Sequence, residues 1–179
     1  MYQKGKGFYD YSGKMYENMR ILREGKHMQD YDRRQKALLA NKHLINNFKS
    51  VPIGMPYKLK QIYRGIDLRD AKPYGRETMY IESKSYLSFS RTKLTAASFP
   101  KKANKIHGTL VLDTEKIPRR TPIIFNQMWG MKSSQKEEEE VLLPPGILIF
   151  SSVPTSNRTW NKKYYNVIQY KPFPLKAIK

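Results

Sequence analysis

The chain has 179 residues and a formal net charge of +19, with 34 lysines and arginines against 15 acidic residues. Its length suits one domain with its own core, and a composition of 39% hydrophobic and 27% charged residues indicates a globular chain rather than a disordered one. A chain without cysteine has no disulfide framework and no thiolate metal site, and because neither a signal-peptide pattern nor an apolar run of membrane-spanning length occurs, we expect a cytoplasmic protein without a membrane contact.

Residues 1–50 are predicted to form a basic helical N-terminal region. Two series of apolar residues recur at helical spacing: Met15, Met19 and Leu22, then Leu38, Ile45 and Phe48. Gly25 is expected to separate two helices, with Asp30 or Asp32 as the cap of the second. Basic side chains interleave throughout, among them Arg33, Arg34 and Lys36. This basic face can contact nucleic acid, or it can be an ordinary solvated helix surface.

Residues 51–179 are predicted to form a β-rich core, because short segments rich in Ile, Val, Tyr and Phe alternate with Pro and Gly. The predicted strands are Gln61–Ile66, Tyr86–Ser90, Gly108–Asp113, Ile123–Phe125, Val141–Leu143, Ile147–Ser151 and Tyr164–Pro172. One or two helical turns are expected in Thr92–Phe99. Neither a βαβ alternation nor a dinucleotide glycine fingerprint occurs, so the sequence predicts an α+β fold with a curved, mostly antiparallel core.

The most unusual stretch is Gln135–Gly146, where four consecutive glutamates run into a short apolar segment closed by Pro-Pro-Gly. The apolar residues predict a buried strand, and Pro-Pro-Gly predicts its end. Side chains alternate along an extended chain, so Glu138 and Glu140 are expected on the same face, as a catalytic pair of carboxylates. The alternative is a solvated acidic turn.

Two shorter pieces precede this stretch. Tyr63-Arg64-Gly65 places an arginine inside a predicted strand, where an inward-facing guanidinium needs an anion and suits a phosphate. The neighbouring glycine would let a ligand approach the backbone. Ser88-Phe89-Ser90 places two serines on one face of another strand.

In this order, the three pieces resemble the mono-ADP-ribosyltransferases of the Arg–Ser–Glu class, a family with small bacteriophage and bacterial-toxin members. That family has an aromatic–Arg–Gly strand, a Ser-x-Ser strand, and Glu-x-Glu running into an apolar strand that ends in Pro and Gly. The resemblance covers about residues 60–172 and departs at Phe89, where the family has a small hydroxyl residue. It implies a two-sheet ADP-ribosyltransferase core on which the helical N-terminal region packs.

The resemblance implies NAD⁺ as co-substrate, without a metal, and a role for each matching residue. Glu140 would stabilise the cationic ribose that forms as nicotinamide leaves, and Glu138 would position or deprotonate the acceptor. Arg64 would hold a phosphate of NAD⁺. Ser88 would fix the side chain of Glu140, with Gly65 and Ser90 also lining the cofactor site.

The resemblance also points to residues in two loops. Phe99 is the candidate to stack on nicotinamide, with a core phenylalanine as the alternative. Asn126–Lys136 corresponds to the acceptor-recognition loop, where Trp129 and Lys132 would contact the acceptor. Trp129 can equally pack back onto the core.

The acceptor is left open between two classes. Glu at the first position of Glu-x-Glu goes with arginine acceptors in the family, which favours a protein. A charge of +19 attracts polyanions instead, which favours RNA, DNA or a ribosome- or polymerase-associated protein. A viral modifier of its host and a bacterial toxin with an antitoxin or inhibitor partner both fit.

Two further classes of function compete with the transferase. A basic RNA-binding module without chemistry would account for the charge but not for the glutamate stretch. A metal-dependent nuclease would use the glutamates, although the three histidines, His27, His43 and His107, lack metal-ligand spacing.

Overall fold

The structure, a computed structural model, describes Ile21, Lys26, Ala96 and residues 28–50, 59–93, 106–125, 140–156 and 163–175. Within this part lie one long helix, α1 (Tyr31–Ser50), and two short 3-10 helices, Leu68–Asp70 and Thr114–Lys116. The strands are β1 (Gln61–Asp67), β2 (Lys72–Gly75), β3 (Thr78–Ser83), β4 (Leu87–Ser90), β5 (His107–Asp113), β6 (Ile124–Phe125), β7 (Glu140–Leu143), β8 (Gly146–Ser151), β9 (Thr155–Ser156) and β10 (Lys163–Pro172). None of the helices among these residues is both long and apolar enough to cross a membrane.

The strands pair in the order β2-β3-β8-β10-β5-β1-β4-β7-β6, and β9 adds to β10. The β10–β5 pair is parallel, and the other described pairs are antiparallel. The mostly antiparallel α+β core expected from the sequence is therefore confirmed.

Strand β10 joins two halves of the sheet. Its residues Tyr164–Asn166 pair with β5, whereas Val167–Pro172 pair with β8, with a register shift between Val167 and Gln169. Side chains of both halves share one core, which includes Ile62, Leu87, Phe89, Leu110, Val141, Leu148, Phe150, Val167 and Tyr170. The predicted two sheets are thus two halves of one hydrogen-bonded sheet that enclose a common apolar core.

Helix α1 packs against β6, β7 and the residue before β4, on the face of the sheet opposite this core. Its backbone begins after Asp30, whose carboxylate accepts a hydrogen bond from the Arg33 amide at 3.1 Å, so Asp30 is the cap. One buried cluster joins the helix to the sheet. The helix contributes Ala40, Leu44, Ile45 and Phe48, and the other members are Tyr86, Ile124 and Leu142. The Tyr86 ring stacks on Phe48, and its hydroxyl donates to Asn41 Oδ1 at 3.1 Å. The first predicted helix lies outside the described residues, apart from the helical Ile21.

The seven predicted strands are all present, with ends that differ by one residue at most, but β2, β3 and β9 were missed. Strand β2 contains Pro73 and Gly75 and is exposed throughout, which is possible because it lies at the edge of the sheet. Strand β3 has the β-type residues Thr-Met-Tyr-Ile, a signal that sequence analysis overlooked. In the turn between these two strands, Glu77 has a φ of 56°. Residues other than glycine rarely adopt this left-handed conformation, so a glutamate at this position does not predict it.

The Pro-Pro-Gly turn lies where it was expected, because β7 ends at Leu143 and β8 begins at Gly146. Strand β10 holds this turn through two hydrogen bonds: the Tyr170 hydroxyl donates to the Pro144 carbonyl at 2.6 Å, and the Phe173 amide donates to the Pro145 carbonyl at 2.7 Å. A Cβ atom on Gly146 would overlap the Lys171 carbonyl oxygen and lie 2.9 Å from the Pro172 Cα atom. Glycine is therefore required here for the close approach of two backbones.

Candidate active site

Glu140 is the first residue of β7, and only 7% of it is exposed. It lies directly opposite Ser90 of β4, and the next pair along these strands is Val141 with Phe89. Residues directly opposite each other project to the same face of a sheet. Glu140 and Ser90 therefore share one face, whereas Val141 and Phe89 point into the core between the two halves.

Ser90 continues a row of residues that crosses five strands. It lies opposite Tyr63 of β1, Tyr63 lies opposite Val111 of β5, and Val111 pairs with Asn166 of β10. We call Glu140, Ser90, Tyr63, Val111 and Asn166 the Glu140 row. Helix α1 packs on this same face, but around Leu142. The helix thus covers one end of the face and supports the strand that carries Glu140.

Ser88 lies on the same face as Ser90, two residues away and opposite Leu142. The residue directly across from Glu140 is therefore the second serine of the motif, not the first. The Ser90 hydroxyl also accepts a hydrogen bond from the Thr92 amide at 3.1 Å, which turns the chain at the end of β4. The role assigned to Ser88 stays a prediction, and Ser90 joins it as a positioning residue.

Arg64 lies where β1 and β4 separate, because these strands are in register only at Tyr63 and Ser90. By alternation, Arg64 projects to the core side of β1, with Ile62 and Ile66. Its Nη1 donates to the Ser88 carbonyl at 2.8 Å. Its Nε is buried and has no hydrogen-bond acceptor among the described residues. Such a donor is costly to bury, so this nitrogen is suited to an anion.

A lysine that sequence analysis did not single out lies over the Glu140 row. The Nζ atom of Lys93 is 5.8 Å from the centroid of the Tyr63 ring and 5.6 Å from that of Tyr164. Lys93 and Ala96 are helical, as expected for Thr92–Phe99. The sequence alone could not predict that Lys93 lies near these rings. The three residues come from separate segments of the chain, which become neighbours only through the order of the strands in the sheet.

Tyr63 is held in place by a chain of hydrogen bonds along the edge of the row. Its hydroxyl donates to Gln61 Oε1 at 3.1 Å, and Gln61 Nε2 donates to Asp113 Oδ1 at 2.9 Å. Burial, together with the nearby Tyr164 and Asp113, raises the pKa of Tyr63 above its ordinary value. The ring of Tyr63 thus lies on the same face as Ser90, with its hydroxyl hydrogen-bonded within the protein.

Four predicted site residues, Glu138, Phe99, Trp129 and Lys132, lie outside the described residues. Gly65 belongs to β1 opposite Thr109 and, by alternation, lies on the face of Tyr63, where it leaves space beside the row. In the described part of the chain, no group of three or more His, Asp or Glu side chains could hold a metal ion.

This architecture is the fold of the mono-ADP-ribosyltransferases, as comparison with solved structures shows. ADP-ribosyltransferase Vis, from Vibrio splendidus, aligns over 97% of this chain and 73% of its own length, with a TM-score of 0.59 and 16% identity. Exoenzyme S from Pseudomonas aeruginosa, in complex with human 14-3-3 protein beta and bound to carba-NAD, aligns over 90% of this chain and 70% of its own, with a TM-score of 0.57 and 16% identity.

A third similar structure is the enzymatic component C2-I of the Clostridium botulinum C2-toxin, with a TM-score of 0.59 and 14% identity. It aligns over 96% of this chain but only 43% of its own length. No protein-family model and no curated protein matches the chain. The likeness therefore lies in the fold, and the fold agrees with the resemblance found in the motifs.

Proposed function

We propose that the chain is an NAD⁺-dependent mono-ADP-ribosyltransferase that transfers ADP-ribose to a macromolecular acceptor and releases nicotinamide. The observation that carries this proposal is the buried Glu140 at the start of β7, directly opposite Ser90, in a chain with an ADP-ribosyltransferase fold. The proposed site of action is the cytoplasm, where NAD⁺ and nucleic acid or protein acceptors are all present.

The reaction breaks the bond between ribose C1′ and the nicotinamide ring nitrogen. The electron pair of that bond goes to the ring nitrogen, which loses its positive charge, and positive charge develops on the ribose. The carboxylate of Glu140 stabilises this charge more strongly in the transition state than in the ground state. An acceptor nucleophile then bonds to C1′ and loses a proton, for which Glu138 is the proposed base.

The remaining residues of the site fit binding of the dinucleotide. The buried Nε of Arg64 offers a donor to a phosphate oxygen, while its Nη1 is already engaged by Ser88. Ser90 and Ser88 bring two hydroxyls to the face of Glu140, where they can orient its carboxylate. Phe99, Trp129 and Lys132 keep their proposed roles in stacking on nicotinamide and contacting the acceptor.

The test of the proposed function is incubation of the purified full-length chain with NAD⁺ that carries radiolabelled phosphate, with and without cell lysate. The proposal requires nicotinamide release and transfer of the label to a macromolecular fraction. Binding of RNA without nicotinamide release would favour the RNA-binding module instead. Mg²⁺-dependent cleavage of RNA or DNA, again without nicotinamide release, would favour the nuclease.

Replacing Arg64 with lysine is expected to raise the KM for NAD⁺ about tenfold with a smaller effect on kcat. Arginine can donate to the Ser88 carbonyl from one nitrogen and to a phosphate from another. Lysine has only one nitrogen and cannot reproduce this arrangement. Initial rates of nicotinamide release over a range of NAD⁺ concentrations measure both constants. An unchanged KM, in a variant that unfolds at the parent temperature, would remove Arg64 from phosphate binding.

For the acceptor, we propose nucleic acid, RNA before DNA, or a protein bound to nucleic acid. The net charge of +19 supports this choice, because such a surface attracts polyanions and repels basic protein segments. A protein arginine is the second candidate. Vis was solved in complex with agmatine, a small guanidinium compound, and Glu138 at the first position of Glu-x-Glu also favours arginine.

Neutralising Arg33, Arg34 and Lys36 together, as glutamines, should lower transfer to RNA about tenfold at moderate salt and leave NAD⁺ hydrolysis unchanged. Each lost phosphate contact reduces the release of counterions, so the salt dependence of transfer should also become shallower. Radiolabel on RNA and free nicotinamide are measured in parallel. Neutralising the exposed residues Lys72, Arg76 and Arg120 removes the same charge elsewhere and serves as the matched control.

The nature of the labelled product decides between the two acceptors. Label that nuclease removes and protease does not touch supports nucleic acid. Label that survives nuclease, disappears with protease and maps to arginine by mass spectrometry contradicts it, and makes the chain a protein-arginine transferase.

A further inference from the structure

We propose that Lys93 binds the pyrophosphate of NAD⁺, supported by the rings of Tyr63 and Tyr164. This inference rests on the proposed function and assigns a further residue to the same site. Lys93 matches no position of the three motifs that suggested the function, so its assignment comes from the structure.

The two tyrosine rings hold the ammonium group at a defined place. Its distances of 5.8 and 5.6 Å from the ring centroids are within the range of cation–π attraction. Tyr164 is only 7% exposed, and Tyr63 is half-buried, with its hydroxyl hydrogen-bonded to Gln61. Lys93 itself is exposed. The ammonium is thus anchored on the protein side and open to a ligand on the other side.

The end of β4 determines where Lys93 lies. The Ser90 hydroxyl accepts from the Thr92 amide, and the Ala96 amide donates to the Thr92 carbonyl at 3.3 Å, so the chain leaves the strand and enters a helical turn at once. This turn carries Lys93 back over β1 and β10. The same serine that faces Glu140 therefore also fixes the start of the segment that bears the lysine.

The spacing across the sheet suits a dinucleotide. Tyr63, Ser90 and Glu140 lie on three successive strands, and neighbouring strands are about 4.8 Å apart, so Tyr63 is roughly 10 Å from Glu140 along the row. If Glu140 faces C1′ of the nicotinamide ribose, the pyrophosphate lies one ribose further on. Gly65 leaves room on this side of the row, because it has no side chain beside Tyr63.

Lys93 and Arg64 would then hold the pyrophosphate from two directions. Arg64 reaches the Ser88 carbonyl from the core side of β1, beyond the pairing of Tyr63 with Ser90, whereas Lys93 lies over the Tyr63 ring on the face that carries Glu140. The pyrophosphate bears two negative charges. Arg64 carries one positive charge and also donates to the Ser88 carbonyl, so it cannot neutralise both charges by itself. We favour NAD⁺ over a polyanionic acceptor as the ligand because Lys93 lies over the Glu140 row itself.

Ligand binding to the Glu140→Gln variant of the full chain tests this inference without turnover. Calorimetry with NAD⁺, ADP-ribose and nicotinamide compares three further substitutions in that background: Lys93→Met, Lys93→Arg and, as the matched control, Lys72→Met. Lys93→Met keeps an apolar stem on the tyrosines and removes the charge. We expect it to weaken NAD⁺ and ADP-ribose about tenfold and to leave nicotinamide, which has no phosphate, unchanged. Lys93→Arg should retain most of the affinity, and Lys72→Met all of it.

The outcomes separate this inference from the proposed function. If the parent binds NAD⁺ and Lys93→Met binds it equally well, the pyrophosphate assignment is wrong and the transferase proposal stands. If Lys93→Met, with Glu140 intact, lowers transfer to RNA while NAD⁺ affinity is unchanged, the lysine serves the acceptor and the assignment is again wrong. If the parent itself fails to bind NAD⁺, the proposed function falls and this inference falls with it.

Discussion

Replacing Glu140 with glutamine is expected to reduce both NAD⁺ hydrolysis and ADP-ribose transfer by at least about 10²-fold, as removal of a main electrostatic stabiliser does. Glutamine has nearly the shape of glutamate and fits the same buried position at the start of β7. It cannot supply the negative charge that the developing ribose cation requires. Hydrolysis and transfer share this step, so they should fall together, while thermal unfolding changes little.

The neighbouring Glu139 provides the matched control. Strand β7 begins at Glu140, opposite Ser90, and Glu139 is the middle residue of Glu-x-Glu, to which no role is assigned. Glu139→Gln should therefore retain most of the activity, measured as nicotinamide release under the same conditions. Loss of activity in Glu139→Gln with full activity in Glu140→Gln would show that the catalytic position is displaced by one residue.

Replacing Gly146 with alanine is expected to destabilise the fold by about 3 kcal/mol or more, among the largest effects of a single substitution. The added Cβ would overlap the Lys171 carbonyl and crowd the Pro172 Cα, and both are backbone atoms of β10. They cannot move without loss of the pairing of β8 with β10, where Gly146 lies opposite Pro172 and Ile147 opposite Lys171. Urea denaturation followed by circular dichroism measures the change in unfolding free energy.

Gly75→Ala is the matched control for this prediction. Gly75 lies on the exposed edge strand β2, and a Cβ there would meet only a side-chain atom, Thr78 Oγ1, at 3.1 Å. A hydroxyl can rotate away, so we expect a change of about 1 kcal/mol or less. Equal stability of Gly146→Ala and the parent would contradict the close backbone approach at the Pro-Pro-Gly turn.

The core strands could be predicted because burial leaves a direct trace in the sequence. Strands such as His107–Asp113 and Gly146–Ser151 are rich in Val, Ile, Leu and Phe, and a buried strand needs such residues. The hairpin of β2 and β3 left a weaker trace. Strand β2 is an exposed edge with a proline and a glycine, and residues of that kind are typical of loops.

The sequence predicted which residue types form the site, but not which of them lie opposite each other in the sheet. Alternation indicates that Ser88 and Ser90 share a face, but only the pairing of β4 with β7 shows that Ser90 is opposite Glu140. The inward orientation expected for Arg64 agrees with the structure, since Ile62 and Ile66 mark the core side of β1 two residues away on either side. The position of Lys93 could not be predicted, because it depends on the adjacency of β1, β5 and β10.

The dual pairing of β10 has a consequence for the order of events during synthesis. The Glu140 row ends at Asn166 in this strand, and the same strand connects the two halves of the sheet and clamps the Pro-Pro-Gly turn. A nascent chain that has emerged only as far as β8 has the residues Arg64, Ser90 and Glu140 but lacks the strand that joins its halves. Sheet closure through such distant contacts is slow and late. The sheet that carries Glu140 and Ser90 is therefore complete only once β10 has paired with both β5 and β8.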